Sequence, residues 1–213
     1  MRFASRQDAG RQLGRFLRQR RIAADLVLGL PRGGVIVAAE VAHELQAPLD
    51  VMVVRKIGHP RQREFAVGAM AEPDFVFLHE DLLRGFPTAQ PALDAVVTEE
   101  KSRLRDYIRR FHFSGSPRLE DRHVLLVDDG LATGATMEAA VLATRLRKAR
   151  KITVAAPVAS IDAAERLRRV CNAVEILLVD GAFEAVGQYY EQFDQTTDAE
   201  VITLLRDTIA RAA

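Results

Sequence analysis

Two spacings of apolar residues take turns along the chain. Ala9, Leu13, Phe16 and Leu17 recur at three- and four-residue steps among arginines. That spacing predicts an amphipathic helix, with Ser5 or Asp8 able to cap its start. Residues 26–30 form a continuous apolar run that stops at Pro31, the pattern of a short strand buried on both faces. A helix is predicted over 35–45 and a second buried strand over 50–54. Residues 57–65 hold Gly58, Pro60, Arg61 and Arg63 and are expected to form a mobile loop. A strand over 75–78 and a long, charged helix over 93–111 come next. Beyond them, strands over 123–127, 152–156 and 174–179 alternate with helices over 134–148 and 163–170. Asp198 is placed to cap a last helix whose apolar positions are Val201, Leu204, Leu205 and Ile209.

Apolar strands alternating with helices predict an α/β fold, a mainly parallel sheet flanked by helices on both faces. In such sheets ligands sit at the carboxyl ends of the strands. Three predicted strand ends carry unusual chemistry: Pro31-Arg32-Gly33-Gly34, Arg55-Lys56 and Asp128-Asp129. The fold class alone predicts that they converge.

Composition narrows the function classes. With 213 residues and 48% hydrophobic residues, the chain suits one domain over 1–213 with room for a small subdomain. A net charge of +1 gives no global field toward nucleic acid or an acidic membrane, so an anion site must be local. The arginines of the 93–111 helix lack interleaved aromatics or glycines and read as a solvated face. Cys171 is the sole cysteine, which leaves no internal disulfide and no cysteine-based zinc site; it reads as a buried structural thiol. His43, His59, His79, His112 and His123 show no metal spacing, and no Ser-His-Asp or Cys-His set is visible. The first residues lack an apolar signal core and no apolar run reaches the ~20 residues of a membrane span, so a cytoplasmic location is expected.

The richest segment is 124–137, Val-Leu-Leu-Val-Asp-Asp-Gly-Leu-Ala-Thr-Gly-Ala-Thr-Met. Two adjacent carboxylates at a strand end are costly unless hydroxyls or a cation meet them. The vicinal hydroxyls of a sugar suit them, and a hydrated Mg²⁺ can approach. Ala132, Thr133, Gly134, Ala135 and Thr136 are small or hydroxylic and open a helix, whose free N–H groups and dipole favour an anion. Together the parts fit a sugar phosphate with free hydroxyls. The reading requires that both acids face the helix opening and are not locked into internal ion pairs. The segment is neither a Walker loop nor an EF-hand.

Residues 124–137 resemble the phosphoribosyl-pyrophosphate (PRPP) signature of type I phosphoribosyltransferases, and Leu131-Ala132-Thr133-Gly134 is similar to the variant in adenine phosphoribosyltransferases. The Leu-Pro-Arg-Gly-Gly and Val-Arg-Lys blocks extend the likeness to uncharacterised bacterial phosphoribosyltransferase-like proteins over nearly the full length. The resemblance implies a Rossmann-like fold with a hood from the N-terminal helix and about 181–213. It implies transfer of the 5-phosphoribosyl group from PRPP to a nitrogen nucleophile, with Mg²⁺ and release of pyrophosphate. Asp128 and Asp129 would hold the ribose, with Mg²⁺ through water, and 132–136 the 5-phosphate. Arg32, Gly33 and Gly34 would form the pyrophosphate loop, with a cis peptide between Pro31 and Arg32. Arg55 and Lys56 would add a second clamp, joined by Arg61 or Arg63 from the following loop, where Glu64 could instead cap a helix or form a salt bridge. Leaving-group charge would fall on Mg²⁺, Arg32 and Lys56. Phe183, Val186 and Tyr190 are candidates for the acceptor pocket, though the aromatics equally fit a core role. Ala132 stands where enzymes for 6-oxopurines carry an acid, which argues against hypoxanthine or guanine. A homodimer is implied. The same signature also occurs in regulators that bind PRPP without turnover, and hydrolysis of the donor is a third reading.

Overall fold

The computed structural model describes residues 2–85, 88–112 and 115–212; the side chains of Glu64 and of residues 209–212, Ile209 among them, lie outside what is described. Helix α1 (Arg6–Gln19) leads into β1 (Leu26–Gly29), α2 (Gly33–Leu45) and β2 (Leu49–Val51). Three further strands follow, β3 (Val54–His59), β4 (Gln62–Ala71) and β5 (Phe75–Leu78), then α3 (Glu80–Gly85) and α4 (Gln90–Phe111). The second half is β6 (His123–Val127), α5 (Ala135–Leu146), β7 (Lys151–Ser160), α6 (Ile161–Arg168), β8 (Ala173–Asp180), a 3-10 turn (Val186–Tyr189) and α7 (Asp198–Ala212).

The central sheet is parallel, in the order β2-β1-β6-β7-β8. β1 and β6 are buried along their whole length, as their unbroken apolar runs require. Successive residues point to opposite faces. Val27 and Leu125 join a core with Leu13, Val41 and Val201, whereas Leu28 and Leu126 join one with Met137, Val154 and Leu167. Gly29 pairs with Val127 in register, so the two strands end side by side. This register brings the Pro31–Gly34 loop next to Asp128 and Asp129.

The structure departs from the sequence reading over 50–71, while the strand expected over 75–78 is present as β5. Residues 57–65 are not a loop: β3, β4 and β5 form a separate antiparallel sheet. His59 pairs with Gln62, so only Pro60 and Arg61 turn at the tip. Polar residues and Gly58 mask the strand pattern. Yet Gly58 permits a close approach of the two strands, since a Cβ there would stand 2.1 Å from the Arg63 carbonyl oxygen. The strand expected over 50–54 is likewise two strands, β2 ending at Val51 and β3 starting at Val54.

The N-terminus closes over the carboxyl end of the sheet. Phe3 forms a parallel bridge with Tyr190. Its N–H donates to Tyr189 O at 2.7 Å, and Glu191 N–H donates back to Phe3 O at 2.8 Å. Residues 2–6 and 189–194 are thereby one unit above the end of β6.

Candidate functional site

Asp128 and Asp129 leave β6 directly and pack against the loop after β1. A Cβ on Gly33 would stand 2.0 Å from Asp129 Oδ2, and one on Gly34 would stand 2.7 Å from Asp128 Oδ1. Glycine is therefore needed at both positions to let the two strand ends meet, before any ligand is considered. The Pro31–Arg32 peptide is cis, as the resemblance implies.

Burial pushes the Asp128 carboxyl well above the ordinary carboxylate range, and the Asp129 charge pushes it the same way; the Asp129 N–H, Lys56 and Arg6 act against them. Burial also raises Asp129, against the Arg6 guanidinium. Asp128 Oδ1 accepts from Asp129 N–H at 2.9 Å. Asp129 Oδ2 accepts from Arg6 Nε at 2.7 Å. The expectation that neither acid would be tied up in an internal ion pair is thus corrected for Asp129. The physical reason is that a carboxylate with only 15% of its side chain exposed needs a counter-charge. Among the described residues, the second oxygen of each acid accepts no hydrogen bond from another residue. One oxygen per acid is thereby without a partner among the described residues.

Next to the acids, α5 opens without a side-chain cap, on Gly134 at φ 73°. That left-handed conformation favours glycine. Ala132 and Thr133 are exposed, and Ala135 and Thr136 half-buried, in this turn. Thr133 Oγ1 accepts from Ala135 N–H at 3.4 Å. Ser160, which the sequence reading passed over, fixes the loop: its hydroxyl donates to Ala132 O at 2.6 Å and accepts from Ala163 N–H at 3.0 Å. Ala135 N–H is thus engaged by Thr133, and the N-cap residue Gly134 has no side chain to cap the rest of the first turn.

A family model described as "Phosphoribosyl transferase domain" matches residues 5–193. This chain belongs to that family. Phosphoribosyl transferase-like relatives support the assignment. A Mycobacterium tuberculosis H37Rv protein named "Putative phosphoribosyl transferase Rv0571c" is 45% identical over 205 residues, 95% of this chain and 46% of the relative. The chain thus spans about half the length of the curated relatives it matches. The crystal structure of TT1426 from Thermus thermophilus has a TM-score of 0.83 at 41% identity, covering 97% of this chain and 99% of that one.

Within this phosphoribosyl transferase domain the basic residues divide. Arg32 precedes the two glycines, at the start of α2, and its guanidinium lies 3.9 Å from Asp198, which Arg110 also meets at 2.9 Å. Lys56 is exposed, and its charge bears on Asp128. Arg55 belongs to a different place. As the neighbour of Lys56 in β3 it points to the opposite face, where Glu100 of α4 binds it at 2.8 and 2.9 Å and Tyr107 underlies it. Arg61 is exposed at the hairpin tip, its N–H on His59 Nδ1 at 3.2 Å. Arg63 pairs with Glu99 at 2.9 Å.

The acceptor candidates also divide. Val186 packs on the acidic turn, since a Cβ on Gly130 would stand 2.6 Å from Val186 Cγ1. Phe183 stacks on Tyr189 with ring centroids 5.3 Å apart and is half-buried. Tyr190 is not a pocket wall. It is 1% exposed, and its hydroxyl donates to Asp129 O at 2.6 Å, because a buried phenol must satisfy its O–H. Cys171 is half-buried rather than fully buried; its Sγ contacts Leu167 O and Ala173 O, and burial raises its pKa.

Arg6 is the group that sequence reasoning missed. It looks like one of several arginines on an exposed helix face. Only the fold reveals that the first residue of α1 is 12% exposed and turned onto Asp129. No group of three or more potential ligands gathers among the described residues. Asp128 and Asp129 each keep one oxygen of the kind a hydrated Mg²⁺ accepts as a partner. Among the described residues no helix is long and apolar enough to cross a membrane.

Proposed function

We propose that this domain transfers the 5-phosphoribosyl group of PRPP to a nitrogen nucleophile, releasing pyrophosphate. The observation that carries the reading is the adjacency of the Asp128–Asp129 pair to the open first turn of α5. A ribose 5-phosphate offers a diol and a terminal phosphate at matching ends. The second oxygens of Asp128 and Asp129 accept the diol; the 132–136 backbone and the Thr133 and Thr136 hydroxyls hold the phosphate. Arg32, Gly33, Gly34 and Lys56 face the leaving pyrophosphate, and Arg61 reaches it from the hairpin tip. Arg55 and Arg63, held by Glu100 and Glu99, are weaker candidates for the same role.

Carbon 1 gains positive charge as its bond to pyrophosphate breaks. The two carboxylates, fixed at the ribose, favour that charge, and Arg32 and Lys56 favour the charge that moves onto the leaving group. Mg²⁺ bound to the donor, held through water by Asp128 and Asp129, would neutralise phosphate oxygens. None of these residues becomes covalently attached.

The test is incubation with PRPP, Mg²⁺ and a panel of bases. Base-dependent pyrophosphate release is expected. Base-independent release would replace the transferase with the hydrolase, and tight binding without release would replace both with a regulator.

A further inference from the structure

Asp129 is gripped twice by the unit formed from residues 2–6 and 189–194. Tyr190 holds its backbone carbonyl at 2.6 Å. Arg6 holds one carboxylate oxygen at 2.7 Å. The Arg6 guanidinium has no slack. Nη1 donates to Asp194 O at 2.7 Å, and the group lies 3.9 Å over the centre of the Phe193 ring. Its helix start is fixed in turn by Ser5, whose hydroxyl accepts from Asp8 N–H at 3.2 Å. Gln192 N–H donates to Ala4 O at 3.1 Å, which binds the two strands of the unit to each other next to Arg6.

An ion pair held in this way is more than a counter-charge. A carboxylate held by no directional partner samples several χ2 angles, because that torsion is broad. Arg6 Nε defines which oxygen of Asp129 faces the protein, and so which one faces a ligand. The guanidinium fork makes the choice directional, as an ammonium could not. Resting on the reading that the acids hold the ribose diol, we infer that Arg6 is the positioning residue of that site. It orients Asp129 so that a sugar with both vicinal hydroxyls is preferred over one lacking the 2-hydroxyl, and it joins that choice to the 190–194 segment.

A site that hydrogen-bonds a hydroxyl rejects the analogue without it, because its polar group is left unpaired. The preference should therefore depend on Arg6, while phosphate binding by the 132–136 loop should not. The probes are ribose 5-phosphate, 2-deoxyribose 5-phosphate and inorganic phosphate, measured by calorimetry on wild type, Arg6→Gln and Arg6→Lys. Wild type should prefer ribose 5-phosphate over the deoxy sugar by about tenfold, the scale of one hydrogen bond to a charged group. Arg6→Gln should bring the ratio close to one while leaving affinity for inorganic phosphate within about twofold. Arg6→Lys, which keeps the charge but not the fork, should restore part of the ratio, and it serves as the test if Arg6→Gln does not fold. An unchanged ratio in both variants, with wild type discriminating, would overturn the role of Arg6 alone. Equal loss of all three probes would also overturn it, since that marks a purely structural arginine. Failure of wild type to distinguish the two sugars would remove the ribose-acid reading and this inference with it.

Discussion

The Tyr190 hydroxyl donates to the carbonyl of Asp129 at 2.6 Å across 61 residues of sequence. This bond ties the turn that carries the acids to the segment above it. Tyr190→Phe would leave a carbonyl at a largely buried turn without its donor, at a cost of about 1–2 kcal/mol. The expected outcome is a lower urea midpoint with an unchanged slope, together with weaker PRPP binding. Chemical denaturation and calorimetry on the same variant check both.

The acids are costly to the fold. Burial and the Asp129 charge raise the Asp128 pKa above its unfolded value. The native state therefore holds the proton more tightly than the unfolded chain. Stability falls as pH rises from the unfolded carboxylate pKa toward the raised native one, and the penalty is present above that range. Asp128→Asn should accordingly raise Tm at neutral pH by about 2–4 °C, the shift of order 1 kcal/mol gives at this size, while weakening PRPP binding. Calorimetric scans of the two proteins across pH test the sign.

A second buried ionic group lies away from the acids. His112 is 2% exposed at the end of α4, with Nδ1 3.1 Å from Asp50 and Nε2 2.6 Å from Glu72, which itself lies 3.7 Å from Arg147. It links β2 to the turn after β4. Burial acts to lower its pKa, but Asp50 and Glu72 outweigh burial and push it up to about 9 from 6.5. A raised folded pKa contributes stability that is complete below pH 6.5 and lost as pH climbs through about 9. That contribution is on the order of 3 kcal/mol. Urea unfolding should show this loss in wild type, and His112→Gln should be less stable at neutral pH and flatter in its pH dependence.

Strand alternation separates Arg55 from Lys56. Lys56→Ala should weaken PRPP binding about tenfold, the scale of one charge-assisted contact, with little change in stability. Arg55→Ala should do the reverse, because it removes the partner of Glu100 Oε2 at a side chain only 7% exposed and leaves Arg103 on Oε1 as its remaining counter-charge. Calorimetry and denaturation on both variants give the contrast.

How far the residues alone carried the account depends on the range of the forces involved. The β6–acid–loop–α5 run was legible because it is local: a buried strand, two carboxylates, small residues and a helix follow one another in sequence. The convergence of Gly33 with Asp129 followed from the parallel-sheet rule. The β3–β4 hairpin was not legible, since its strands mix Gly58 and polar residues and are held by cross-strand pairing rather than by an apolar stripe. Arg6 was not legible as a site residue, and Tyr190 reads in sequence as a wall of the acceptor pocket rather than as the donor to Asp129. They act on Asp129 across 123 and 61 positions, and no local pattern records such contacts. The pairing of Arg55 with Glu100 was not legible for a related reason: a basic pair read as one unit loses the alternation that a strand imposes on it.

The central claim is that Asp128 and Asp129 grip the ribose diol of PRPP beside a phosphate held by the α5 opening. Its most direct measurement is calorimetric titration of PRPP into wild type and into the double variant Asp128→Asn with Asp129→Asn, both shown folded by circular dichroism. The account predicts saturable one-site binding by wild type and at least a tenfold loss in the variant, about 1.4 kcal/mol or more. Equal affinity of the two proteins would contradict it.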